Sequence, residues 1–138
     1  ELYKLNLMHA LKSVIISGTP YLGTSDGSKI CGPSIGTSND MPIVYPPSFK
    51  ALGIIPFNIN PHYIDPQPES KHMGETRATR IKEFHHYNSQ SVLGLREGSF
   101  LEITGDEITL KGTLKARVFK QGVLAYEIDS GTDLSDFK

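Results

Sequence analysis

From Val92 onward the hydrophobic period of this chain is two, and that constrains its fold more than any other feature. Val92-Leu93, Phe100 to Ile103, Ile108 to Leu110, Ala116 to Phe119 and Val123 to Ile128 are five short apolar runs. Arg96-Glu97-Gly98, Gly105-Asp106-Glu107, Lys111-Gly112 and Gln121-Gly122 separate them. Such spacing predicts short strands joined by tight turns, because side chains alternate faces along a strand and glycine supplies the turn backbone. A helical bundle is thereby excluded. With 13 glycines and 9 prolines in 138 residues, the rest of the chain is also rich in turns.

The first part of the chain reads differently. Leu2, Leu5, Met8, Leu11 and Ile15 recur at three to four residues, predicting an amphipathic helix over 1–17 that Gly18 and Pro20 stop. Pro20-Tyr21-Leu22-Gly23 is a short extended run, followed by a short helix over 26–32. Ile54 to Ile59 is strand-like, 65–74 is a polar loop, and 75–87 is an exposed helix whose apolar positions are Ile81 and Phe84. Helices and strands alternate first and hairpins follow, so the expected class is α/β with a hairpin tail, in a single domain over 1–138. The chain begins with Glu1, not Met, already within a helix-like pattern, which predicts a segment whose beginning is missing.

Charge and cysteine content narrow the partners. Lys plus Arg number 14 and Asp plus Glu 15, so no global field favours nucleic acid or anionic lipid. No apolar run is long enough to span a bilayer and no signal peptide is visible. The expected location is cytoplasmic. Cys31 is the only cysteine, which rules out an intrachain disulfide. His85-His86 are adjacent on a helix and point apart, so no metal site is expected.

One segment carries chemistry. Gly23-Thr24-Ser25-Asp26-Gly27 is a G-x-S-x-G pattern between an extended run and a short helix. A tight turn there pushes a serine out of its sheet and leaves the next backbone N–H facing the place where an oxyanion develops. The plain alternative is a Gly/Ser turn of geometric value only. A nucleophilic serine needs a base, and His62 is the strongest candidate because it follows a strand end directly. His9, His72, His85 and His86 sit in helices or a polar loop where solvated roles are more ordinary. Asp40 and Glu97 both qualify as the acid that orients the base, although each also suits a turn or surface position.

These segments, taken in order, resemble the peptidase E family, the α-aspartyl dipeptidases related to cyanophycinases. The matching stretches are Tyr21-Leu22-Gly23-Thr24-Ser25, Thr37-Ser38-Asn39-Asp40-Met41-Pro42-Ile43, Phe49-Lys50-Ala51-Leu52-Gly53, Ile59-Asn60-Pro61-His62-Tyr63, Gly74-Glu75-Thr76-Arg77 and Val92-Leu93-Gly94-Leu95-Arg96-Glu97-Gly98. The resemblance implies a class I glutamine amidotransferase-like, flavodoxin-like parallel sheet with C-terminal β-hairpins, here without its N-terminal strands. It implies hydrolysis of dipeptides with an N-terminal aspartate, with no cofactor. Ser25 would be the nucleophile, His62 the base, Asp40 its orienting carboxylate and the Asp26 backbone N–H an oxyanion donor. Arg77 and Glu97 would bind substrate, Arg77 because a guanidinium fork matches a carboxylate with two parallel hydrogen bonds. A salt bridge from Arg77 to Glu75 or Asp65 is the competing assignment. The expected partner is a small peptide with an N-terminal Asp, and a homodimer is the one assembly considered.

Two departures from the family stand out. The residue after the serine is normally alanine, and here it is Asp26. A carboxylate ~5 Å from a developing oxyanion opposes it by about 3 kcal/mol at an effective dielectric of 20, on the order of a hundredfold in rate. Family members also carry a longer N-terminal part with the first parallel strands and a Gly-rich loop. Nothing before Pro20 resembles it, so 1–138 is expected to be the C-terminal catalytic portion of a longer domain. These departures motivate an alternative, a catalytically impaired fragment that binds acidic peptides or a protein partner. Cysteine chemistry of the amidotransferase kind is disfavoured, since Cys31 lies six residues past Ser25.

Overall fold

A computed structural model describes residues 1–38, 44–66 and 75–138. In chain order the elements are α1 (Leu7–Ile16), α2 (Asp26–Lys29), β1 (Asn58–Pro61), α3 (Arg77–Phe84), β2 (Val92–Leu95), β3 (Ser99–Thr104), β4 (Glu107–Gly112), β5 (Ala116–Phe119) and β6 (Tyr126–Ile128). The architecture is α/β with a mixed sheet. Strands run in the order β1-β2-β5-β6, with β1 parallel to β2 and the other two pairs antiparallel. A separate hairpin, β3–β4, pairs Ser99 with Gly112 through to Thr104 with Glu107.

Register explains how the sheet is buried on both faces. Ile59, Leu93 and Val118 are neighbours across three strands and join a core with Ile55 and Phe57. One residue earlier, Val92 and Phe119 form a row on the opposite face and pack with Ile81 of α3. Because α3 offers only Ile81 as a fully buried residue, its polar faces stay in water. Thr76 caps it by accepting from the Thr79 N–H at 3.1 Å. Gly94 of β2 has a positional reason: a Cβ there would stand 2.8 Å from the Tyr63 ring, so only glycine lets that ring lie on the strand.

Several expected elements are corrected. The extended run at Pro20-Tyr21-Leu22-Gly23 joins no sheet, since a strand is defined by a ladder and no partner strand pairs with it among the described residues. The strand expected over 54–59 lies instead at Asn58–Pro61. The run before it bends because Ile54 and Ile55 donate to the Cys31 carbonyl, which folds Ile55 and Phe57 onto the core. The first helix begins at Leu7, since Asn6 adopts φ 55 and breaks it from the preceding turns. The last strand shortens to Tyr126–Ile128. Among the described residues no helix is long and apolar enough to cross a membrane.

Candidate active site

The turn at Gly23-Thr24-Ser25-Asp26-Gly27 is built by close approach. A Cβ on Gly23 would meet the Gly27 carbonyl oxygen at 2.6 Å, so the first glycine of the pattern is sterically required. The Gly27 N–H closes the turn on Thr24 O at 2.8 Å, and the Tyr21 hydroxyl donates to Gly27 O at 2.7 Å. Ser25 precedes α2 with φ 50 and ψ −119, a backbone conformation that a residue with a Cβ rarely adopts. Ser25 is therefore strained in the way a nucleophile elbow demands.

Hydrogen bonds carry this elbow to the sheet. The Ser34 N–H donates to Asn58 Oδ1 at 2.9 Å, Asn60 Nδ2 to Thr37 O at 2.8 Å, and Thr37 Oγ1 to Ile59 O at 3.3 Å. The buried asparagines of β1 thus anchor the segment that follows α2.

His62 and Glu97 meet because β1 and β2 are parallel. Pro61 and Leu95 are register partners at the strand ends, so the residues just beyond them emerge at the same edge. His62 Nδ1 lies 3.0 Å from Glu97 Oε1. An ionised carboxylate only accepts, so this bond assigns the proton to Nδ1 and leaves Nε2 as the basic nitrogen. His62 is itself at φ 52. Ser25, His62 and Glu97 all line one cavity of about 320 Å³, with Ile59, Leu95, Phe100 and Leu101 supplying apolar walls.

Of the expected site residues, all but Asp40 lie among the described residues. Ser25 and His62 share the cavity. Glu97, expected to bind substrate, stands on His62, in the place foreseen for Asp40, which falls outside the described residues. Arg77 does not line the cavity; it opens α3 and donates to Pro61 O at 2.8 Å. Arg80 pairs with Glu75 at 3.5 Å, and Arg96 with Asp65 at 2.7 Å.

Asp26 behaves differently from the expectation built on its charge. Its carboxylate is 75% exposed and accepts from Lys29 Nζ at 2.7 Å, while the Lys29 side chain is only 6% exposed. Lys29 also donates to Ser38 Oγ at 3.1 Å. A carboxylate so paired acts on its surroundings as a dipole, whose field falls off far faster than that of a lone charge. The Asp26 N–H donates to no backbone carbonyl among the described residues. Cys31 lines the same cavity, but burial pushes its thiol pKa up, which makes it a poor nucleophile.

Sequence reasoning passed over Lys29 altogether. Its signal was there in the Asp26-x-x-Lys29 spacing, which places the two side chains on one face of a helical turn.

A serine at positive φ on a tight turn before a helix, sharing a cavity with an imidazole–carboxylate pair, is the arrangement used by serine-nucleophile hydrolases. Comparison with known proteins agrees. The model of "Peptidase family S51" matches residues 1–111. The chain is 50% identical over 135 residues to a Peptidase E of Streptomyces coelicolor, covering 98% of this chain and 56% of that protein. It is 47% identical over 121 residues to a "Probable alpha-aspartyl dipeptidase" of Drosophila melanogaster, covering 87% of this chain and 50% of that one. A Peptidase E of Shewanella amazonensis is 47% identical over 137 residues, with 99% and 58% covered. The chain spans about half the length of these curated relatives. It belongs to peptidase family S51.

Proposed function

We propose that this chain carries the Ser25–His62–Glu97 centre of a serine dipeptidase that hydrolyses dipeptides with an N-terminal aspartate. The observation that carries the reading is the strained Ser25 in one cavity with the 3.0 Å His62–Glu97 pair. The names of the relatives in Streptomyces and Drosophila supply the substrate class. The parallel β1–β2 pair and the elbow ahead of α2 suit a class I glutamine amidotransferase-like sheet, to which further parallel strands belong in this proposal.

In the mechanism, His62 Nε2 accepts the Ser25 Oγ proton as the oxygen bonds to the substrate's carbonyl carbon. Glu97 holds the imidazole by Nδ1 and stabilises the imidazolium. The oxyanion of the tetrahedral intermediate accepts from the Asp26 N–H. The C–N bond then breaks, and the departing amine takes the proton from Nε2. A water, deprotonated by the same nitrogen, attacks the aspartyl ester and frees Ser25 and aspartate. Lys29 neutralises Asp26, which removes one of the two motives for a binding-only protein.

The test is hydrolysis of Asp-Xaa dipeptides by the intact protein, compared with Asn-Xaa and Glu-Xaa. Turnover confined to Asp-Xaa and abolished by Ser25→Ala is expected. No turnover of any Asp-Xaa substrate sinks the reading.

A further inference from the structure

The His62–Glu97 pair has a weakness, and the structure compensates for it nearby. The side chains are 45% and 80% exposed, and a hydrogen bond so open to water contributes little to its own geometry. Something else must keep the two loops in register. We propose that Arg96 is a positioning residue whose guanidinium ties the His62 loop to the Glu97 loop; the catalytic part of this rests on the function proposed above.

All five N–H donors of Arg96 are engaged. Nε and Nη2 donate to Asp65 Oδ2 at 3.2 and 2.7 Å. Nη1 donates to Glu127 Oε2 and to the Lys115 carbonyl, each at 2.7 Å, and Nη2 also donates to Glu127 Oε1 at 3.0 Å. The guanidinium lies 5.4 Å over the Tyr63 ring, and Arg117 Nη1 reaches Glu127 at 2.9 Å and Asp65 at 3.7 Å. Asp65 lies three residues past His62, and Arg96 immediately precedes Glu97. The Arg96–Asp65 bond therefore joins the two backbone segments that carry the pair, while Glu127 and Lys115 fix Arg96 to β6 and to the residue before β5. Tyr63, between the loops, is itself pinned by its N–H on Leu95 O at 3.0 Å.

This geometry also separates Arg96 from a substrate-binding role. Arg96 lines the cavity, yet its side chain is only 16% exposed and has no donor left for a substrate carboxylate. A planar fork that meets two carboxylates and a carbonyl at once is a task lysine cannot perform.

The experiment uses the intact protein and two readouts. Imidazole ¹⁵N shifts, assigned with His62→Gln, report which ring nitrogen of His62 carries the proton, whether or not the protein turns over a peptide. Steady-state kinetics on an Asp-Xaa dipeptide report kcat and KM separately. Asp65→Ala removes the acceptor that links the loops, while Glu127 and Lys115 still hold Arg96. The expected result is a mixture of His62 tautomers in place of the Nδ1–H form, with kcat down 10- to 100-fold and KM within about twofold. Arg96→Lys is expected to fail to restore either. Glu127→Gln, which leaves the Arg96–Asp65 link in place, should lower the Tm with the tautomer unchanged. A tautomer change in a protein inactive on every dipeptide would uphold the clamp and defeat the peptidase reading. Asp65→Ala and Arg96→Lys proteins with the native tautomer and native kcat would overturn the proposal, whatever their Tm.

Discussion

The ammonium of Lys29 is buried beneath the turn that presents Ser25, 2.7 Å from the Asp26 carboxylate that would otherwise be the nearest negative charge to that turn. The two residues have to be read together. In the proposed mechanism Asp26 without Lys29 is an electrostatic liability beside a forming oxyanion, and Lys29 without Asp26 is a buried cation left with one hydroxyl partner among the described residues.

Breaking this pair on one side is expected to destabilise the protein. Asp26→Ala strands a buried ammonium, at about 2 kcal/mol. Lys29→Met alone leaves the Asp26 charge uncompensated and lowers kcat about tenfold or more, the full unscreened repulsion being worth on the order of a hundredfold. The double variant should recover most of both losses. Urea unfolding and steady-state kinetics on the four proteins of the cycle measure the coupling, and strictly additive effects would refute it.

Glu97→Gln is expected to lower kcat by roughly 10²-fold or more with little change in KM, because the amide no longer fixes the Nδ1–H tautomer or stabilises the imidazolium. Asp40→Asn should cost less. Dipeptide hydrolysis by the two variants decides which carboxylate serves His62.

At Gly23 an added methyl collides with the Gly27 carbonyl at 2.6 Å, a backbone atom that cannot swing aside. Gly23→Ala should cost about 1–3 kcal/mol and unmake the turn. Labelling of Ser25 by a serine-directed acylating reagent should vanish even at temperatures where the variant is still folded.

Acid should weaken the loop network in a defined direction. The hydrogen bond from Arg96 does most to hold the Glu127 carboxyl below its ordinary value of 4.5; burial opposes it by less, and a hydrogen bond from Arg117 adds a smaller lowering. A depressed pKa means that the carboxylate stabilises the fold fully above the unfolded-state value. That contribution is lost as pH falls through the folded-state value. Glu127→Gln should therefore be less stable than the native protein at pH 7, and the difference should narrow toward pH 3. Unfolding midpoints at the two pH values measure it.

The sequence made the chemistry of this site easier to read than its wiring. Gly23, Ser25 and Gly27 were visible as an elbow because local sterics alone define such a turn, and His62 because it follows an apolar run. Glu97 was legible only as a carboxylate in a turn. That it meets His62 depends on the parallel register of Pro61 with Leu95, a relation between segments thirty-odd residues apart that no local pattern encodes. Lys29 passed unnoticed for a similar reason: a lysine in a short helix normally faces water, and only the packing of α2 against β1 decides otherwise. The strand misplaced onto Ile54 to Ile59 shows the same limit. Its apolar run is real, and Ile55, Phe57 and Ile59 are buried, but the hydrogen-bond ladder begins only where the Asn58 N–H donates to the Ser91 carbonyl.

The backbone at Ser25 has an evolutionary corollary. Its φ and ψ are the mirror image of ordinary extended values, a region glycine enters freely and serine does not. With Ser25 as the proposed nucleophile, natural selection for thermal robustness and for turnover pull toward different residues at this position. The descendant of this chain that relaxes to glycine would be the hardier molecule and would have no nucleophile.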